Sequence, residues 1–167
     1  VPLANDLLEQ ARLLATVDVT RPKQASLRRA VSSAYYGVFH LLLAACMRRI
    51  APATPAGLAE RIVRSLAHSE MKEVCVPISR GSRVPAFDSL VPAGFSPEIR
   101  RVAQAFVNLQ VARHRADYDL LASFSRTDTL DLLSEARRAF EDWYRVQDTD
   151  EANVFLSALL FAKRWSK

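Results

Sequence analysis

Apolar residues recur at helical spacing along nearly the whole chain, and the strict alternation of a half-buried strand is almost absent. Leu3, Leu7, Leu8, Ala11, Leu14 and Ala15 mark one amphipathic helix. Thr20 and Pro22 read as the start of a second. That helix carries Leu27, Val31, Ala34, Val38, Leu42 and Ala45 and extends to Ile50, long enough to be the spine of a bundle. Thr54-Pro55 opens a third, with Leu58, Ile62 and Leu66 on one face. It breaks near His68-Ser69 and resumes to Val74-Cys75. Ser96-Pro97-Glu98 combines a cap, a first-turn proline and an acid at the positive dipole end, and starts a fourth helix that runs to about Leu120. Thr127-Asp128 opens a fifth, with Leu130, Leu133, Ala136, Phe140 and Trp143 inward and Glu141 spaced to pair with Arg145. A sixth begins near Thr149-Asp150, with Phe155, Leu156, Leu159 and Leu160 on its inner face.

Between Val76 and Phe95 the pattern stops, broken by Pro77, Gly81, Pro85, Pro92 and Gly94. The expectation is an all-α, up-and-down bundle of five or six helices, one domain over residues 1–167, with a long loop at about 76–95.

Composition narrows the chemistry. Half of the 167 residues are hydrophobic, which excludes a disordered chain. Cys46 and Cys75 form no metal-spaced cluster and suit reduced thiols, so a cytoplasmic location is expected. Asp6, Glu9, Arg12 and Asp18 interrupt the apolar pattern of the first twenty residues and argue against a leader there. The charge-free run Ala30–Met47 approaches the length of a membrane span, but its serines, tyrosines and His40 fit a buried bundle helix better, so no membrane partner is expected. Neither phosphate-loop glycine motif occurs, nor a GxSxG elbow, an HExxH pair or the Glu-x-x-His pairs of di-iron bundles. No metal site or cofactor is expected.

The net charge is +5, and 19 of the 23 basic residues are arginine. Arginine suits bidentate recognition of phosphate or carboxylate. Two polar stripes interrupt helical inner faces. Arg29, Ser33, Tyr36 and His40 share one face of the second helix; Gln110, Arg113 and Asp117 continue the apolar stripe of the fourth. Burying an unpaired guanidinium or carboxylate is costly, so the stripes have one of two meanings. Either Arg113 and Asp117 pair and meet Tyr36 or His40 across the bundle, or the stripe lines a groove for a phosphate or a partner. His114 and Arg115 point to solvent. With Arg80, Arg83, Arg100 and Arg101 they form either a basic binding surface or simply a solvated face.

These residues resemble the HEPN family. Gln24 to Leu42, with Arg28-Arg29, Ser32-Ser33 and Tyr35-Tyr36-Gly37 ahead of an apolar half, is similar to the long second HEPN helix. Arg113 to Tyr118 follows the Arg-x-x-Ala-Asp-Tyr pattern of a later one, and Glu135 to Trp143 resembles the helix after that. The resemblance implies a helical bundle that commonly dimerises. Many HEPN proteins are metal-independent endoribonucleases, often toxins paired with a nucleotidyltransferase-type antitoxin. Others have lost catalysis and serve in binding or assembly. Active members use Arg-x4–6-His, the histidine as general acid/base and the arginine as phosphate holder.

Arg61 and His68 fit that spacing, although arginine is frequent enough here for a match of this form to arise by chance. In the Arg-x-x-Ala-Asp-Tyr helix, Arg113 is followed five residues later by Tyr118 where a histidine would stand, and His114 falls on another face. The expected function is a non-catalytic or weakly catalytic HEPN-like module that forms a homodimer and binds RNA, a nucleotide or a protein. The alternatives are an endoribonuclease toxin using Arg61 and His68, or Arg113 with His114 and Tyr118, and a purely structural assembly protein. Candidate binding residues are Arg29, Ser33, Tyr36, His40, Gln110, Arg113, Arg115 and Asp117.

Overall fold

The computed structural model describes residues 2–50, 55, 61, 68–82 and 87–165. Among these the protein is an all-α helical bundle without strands. Six helices are described: α1 (Pro2–Thr16), α2 (Gln24–Ile50), α3 (His68–Ser79), α4 (Pro97–Tyr118), α5 (Arg126–Val146) and α6 (Asp150–Trp165). Leu58, Ile62 and Leu66 of the expected third helix lie outside the described residues, as does Arg83.

Local chemistry sets the helix ends. α2 begins at Gln24, two residues after Pro22, because the Asp18 carboxylate accepts from the Lys23 amide at 3.1 Å and holds the preceding residues in a loop. α3 runs on to Ser79 with Pro77 in its last turn; the ring removes one i→i−4 hydrogen bond, that to the Glu73 carbonyl, and the helix ends two residues later. It stops in a Schellman motif: the Ser82 amide donates to the Pro77 carbonyl and the Gly81 amide to Ile78, both at 3.0 Å, with Gly81 at φ 68°. The break in pattern therefore starts at Arg80 rather than Val76. α5 begins at Arg126, one residue before the expected Thr127. Ser125 is its cap: the Asp128 amide donates to Ser125 Oγ at 3.0 Å, and the Asp128 carboxylate accepts from the Ser125 hydroxyl at 2.7 Å. Thr149 caps α6 through the Ala152 amide at 3.2 Å.

The chain divides into two compact units, residues 1–41 with 105–140 and residues 42–104 with 141–167. α2, α4 and α5 contribute residues to both. In the first unit α1 buries Ala4, Ala11 and Ala15, while Leu3 stays 52% exposed instead of joining the expected leucine stripe. Gly37 explains this. A methyl group there would lie 3.3 Å from the Ala4 carbonyl oxygen and 3.6 Å from the Leu8 nitrogen, so α1 meets α2 backbone to backbone and small side chains fit the seam. Leu27, Val31, Tyr35, Phe106 and Leu109 fill the same core. Leu133, Ala136 and Phe140 of α5 are buried as expected, but Leu130 is exposed.

In the second unit α3 packs on α6. Met71, Cys75, Ile78, Trp143, Phe155 and Leu156 are buried there, and the Trp143 and Phe155 rings meet at 6.4 Å. Asp142, not Glu141, is the acid that pairs on α5. It is buried and accepts from Arg101 Nε at 2.7 Å and Nη2 at 3.0 Å, with Arg145 at 3.3 Å. Within Gln24–Arg49, the most apolar 18-residue window is 78% buried, so the bundle core uses most of that helix's apolar surface.

Candidate functional site

The polar residues of α2 and α4 meet in the first unit. Four α2 side chains spaced four apart, Gln24, Arg28, Ser32 and Tyr36, form a ladder along one face. Gln24 clasps the Phe124 backbone, donating to its carbonyl at 2.8 Å and accepting from its amide at 2.9 Å. Arg28 donates to the carbonyls of Ala116, at 3.1 Å, and Ala122, satisfying one acceptor at the C-terminal end of α4 and one in the loop that follows. Ser32 Oγ donates to Asp117 Oδ1 at 2.6 Å. The Tyr36 hydroxyl accepts from Arg113 Nη2 at 2.7 Å.

Arg113 is the centre of the arrangement. Its Nε lies 2.9 Å from Asp117 Oδ2, and the two side chains are 18% and 22% exposed. The Nε–H points off that line, so the contact is an ion pair rather than an aligned hydrogen bond. The guanidinium lies over the rings of Tyr35, Tyr36 and Tyr118 at 5.6, 5.4 and 5.7 Å. Burial works against its charge, but the bond to Tyr36 and the neighbouring charges outweigh it and hold the guanidinium pKa above its ordinary value.

The expected stripe on α2 is therefore shifted by one residue. Arg28 and Ser32 reach α4, not Arg29 and Ser33. Arg29 is exposed. Ser33 is buried but donates to Gln10 Oε1 at 3.0 Å, so it belongs to the α1–α2 seam. Tyr36 does reach α4, through Arg113. His40 is half-buried edge-on to Phe39 at 5.4 Å, and burial lowers its pKa. Gln110 is half-buried on α4. The signal for the true ladder is the i, i+4 run of four hydrogen-bonding side chains, beginning with the first residue of the helix.

Among the proposed catalytic residues, Arg113, His114 and Tyr118 do come together. The His114 and Tyr118 rings are 5.1 Å apart, on the solvent side of Arg113, with Tyr118 64% exposed. Arg61 is helical and exposed; His68 begins α3, and its side chain lies outside the described residues. Of the proposed basic surface, Arg101 is tied to Asp142 and to Glu98 at 2.8 Å, and Arg100 packs on Gly81. Arg115 is exposed and lies over the Phe124 ring at 5.7 Å.

Arg115 also borders a groove of about 750 Å³ between α4 and α5. Val111, Ala112, Phe124 and Leu132 supply its apolar lining; Arg138, Asp128, Asp131 and Glu135 supply the remaining charges. Asn108 Nδ2 donates to Glu135 Oε1 at 2.7 Å, and burial holds the Glu135 carboxyl above the usual carboxylate range. Sequence periodicity did not reveal this groove, because it depends on how far apart two helices lie.

Among the described residues, no group of three or more His, Cys, Asp or Glu side chains is placed to hold a metal. No protein-family model, curated protein or solved structure matches the chain.

Proposed function

We propose that the chain is a non-catalytic, HEPN-like helical module that works by associating with another protein. The observation that carries this reading is the commitment of Arg113. Its charge is matched by Asp117, its Nη2 is bound to Tyr36, and Asp117 is further held by Ser32. An arginine held this way must break an internal pair before it can take a phosphate. The residue five positions on is Tyr118, a phenol where the Arg-x4–6-His pattern calls for the imidazole of a general acid/base. The groove between α4 and α5, which sets Val111 and Leu132 among charged side chains, is the feature left open to a partner.

The test is incubation of the purified protein with a panel of single-stranded and structured RNAs, in parallel with induced expression in a host. The expected outcome is intact RNA and unimpaired growth. Metal-independent cleavage abolished by His68→Ala or Arg113→Ala overturns the non-catalytic reading and favours the endoribonuclease toxin. One observation favours a second reading, RNA binding without cleavage: the exposed Tyr118 ring beside His114 offers a base a stacking platform. That reading requires affinity for an oligonucleotide that falls steeply with salt and is lost in Tyr118→Ala.

A further inference from the structure

The loop between α4 and α5 holds two leucines out into solvent. Leu120 is 91% exposed and Leu121 is 95% exposed. They are not loose. Asp119 Oδ1 accepts from the Leu121 amide at 2.9 Å and the Ala122 amide at 3.1 Å, Arg28 binds the Ala122 carbonyl, and Gln24 clasps Phe124. Ala122 and Phe124 turn inward and join the buried cluster with Leu27 and Val31. The loop is thus anchored on both sides of a Leu-Leu tip. Fully burying a leucine is worth roughly 1.5–3 kcal/mol, so a braced apolar tip is a strong handle for association.

We infer that this tip docks into the α4–α5 groove of a second copy of the chain, each copy giving its tip and receiving the other's. The inference rests on the association reading above and names the partner. Three features point to self-docking. The groove sets Val111, Ala112, Phe124 and Leu132 among its polar residues and has a volume typical of sites that enclose several side chains. Tip and groove are neighbours in the chain, with Leu121 separated by one residue from the lining residue Ser123, so a two-fold axis beside the loop lets both insertions form at once. The groove carries both signs of charge, Arg115 and Arg138 with Asp131 and Glu135, which lets two copies pair their charges reciprocally. An anionic lipid surface fits less well, because Asp119 adjoins the tip and Asp128 and Asp131 line the groove beside it.

The experiment is sedimentation of wild type, Leu121→Asp and Val111→Glu, each alone and the two variants mixed. Loading spans about 1 to about 100 µM, the range over which a homodimer of ordinary affinity dissociates. Both substituted positions are solvent-exposed in the single chain, and circular dichroism checks that the helices persist. The expected result is a wild-type dimer and at least tenfold weaker association for each variant. Mixing the variants restores part of the dimer, because the intact tip of Val111→Glu meets the intact groove of Leu121→Asp. A wild-type chain that stays monomeric, or variants that dimerise like wild type, overturns the inference. So does a mixture that behaves like its parts. Loss of the non-catalytic reading is a separate result, seen in the RNA assays rather than in sedimentation.

Discussion

Asp117→Ala isolates the interaction on which the reading of Arg113 depends. The substitution removes the acceptor of Ser32 Oγ at 2.6 Å and the counter-charge of Arg113 at 2.9 Å. Ser32 is 2% exposed, so its hydroxyl loses a partner with little access to water. A hydrogen bond to a charged group contributes about 1.5–3 kcal/mol, and orphaning one member of a fully buried ion pair costs about 3–5 kcal/mol. The pair here is about a fifth exposed, and Arg113 keeps Tyr36 and three ring faces, so the lower part of both ranges applies. The expected loss is about 2–3 kcal/mol, which at a typical urea slope moves the midpoint by about 1–2 M. Asp117→Asn keeps an acceptor for Ser32 without the charge and is expected to lose about half as much. A cycle of Asp117→Ala with Arg113→Ala should return a coupling of at least about 1 kcal/mol. Loss below about 0.5 kcal/mol in Asp117→Ala, or binding of inorganic phosphate by the wild-type chain that Arg113→Ala abolishes, refutes the structural role and makes Arg113 a ligand-binding residue.

Three further outcomes test other parts of the molecule. Gly81→Ala places a methyl group 2.8 Å from Arg100 Cζ at φ +68°, so a loss of about 1–2 kcal/mol in urea is expected, and an unchanged midpoint counts against the Schellman ending of α3. Burial pushes the Cys46 thiol up to about 12 and raises Cys75 as well, so a thiol reagent such as DTNB should titrate neither in the native protein and both in urea; prompt native labelling contradicts their burial. Burial also raises the folded-state pKa of Glu135 above 4.5, so between 4.5 and that raised value the folded chain holds more protons than the unfolded one, and this group's contribution to stability falls as pH rises through the window. Glu135→Gln keeps an acceptor for Asn108 and should raise the urea midpoint at pH 7, with the difference closing towards pH 4.5; a lower midpoint at pH 7 contradicts the desolvation account.

The helices of this protein were largely legible because their signals are local. Ser96-Pro97-Glu98 marks the start of α4, and Thr149 the start of α6, within a residue. The ends that moved did so for equally local reasons, such as the Ser125–Asp128 capping box and the Gly81 turn, both present in the sequence. The Arg113–Asp117 pair was legible from its spacing of four.

The partners across the bundle were not. Neighbouring residues on a helix differ by about 100° in direction, so placing Arg29 and Ser33 towards α4 instead of Arg28 and Ser32 turns on the rotation of α2 about its axis. Gly37 brings α1 in close, and α2 then turns Ser33 to Gln10 and Ser32 to Asp117. Asp142, rather than the expected Glu141, pairs with Arg145 and is buried against Arg101, and Leu130 is turned out. The sequence by itself determined an all-helical chain with most of its core positions and one polar pair. Only tertiary structure decided which side chains that pair engages and that a groove lies open between α4 and α5. Periodicity is written in one helix at a time, whereas helix rotation and spacing are set by packing against the others.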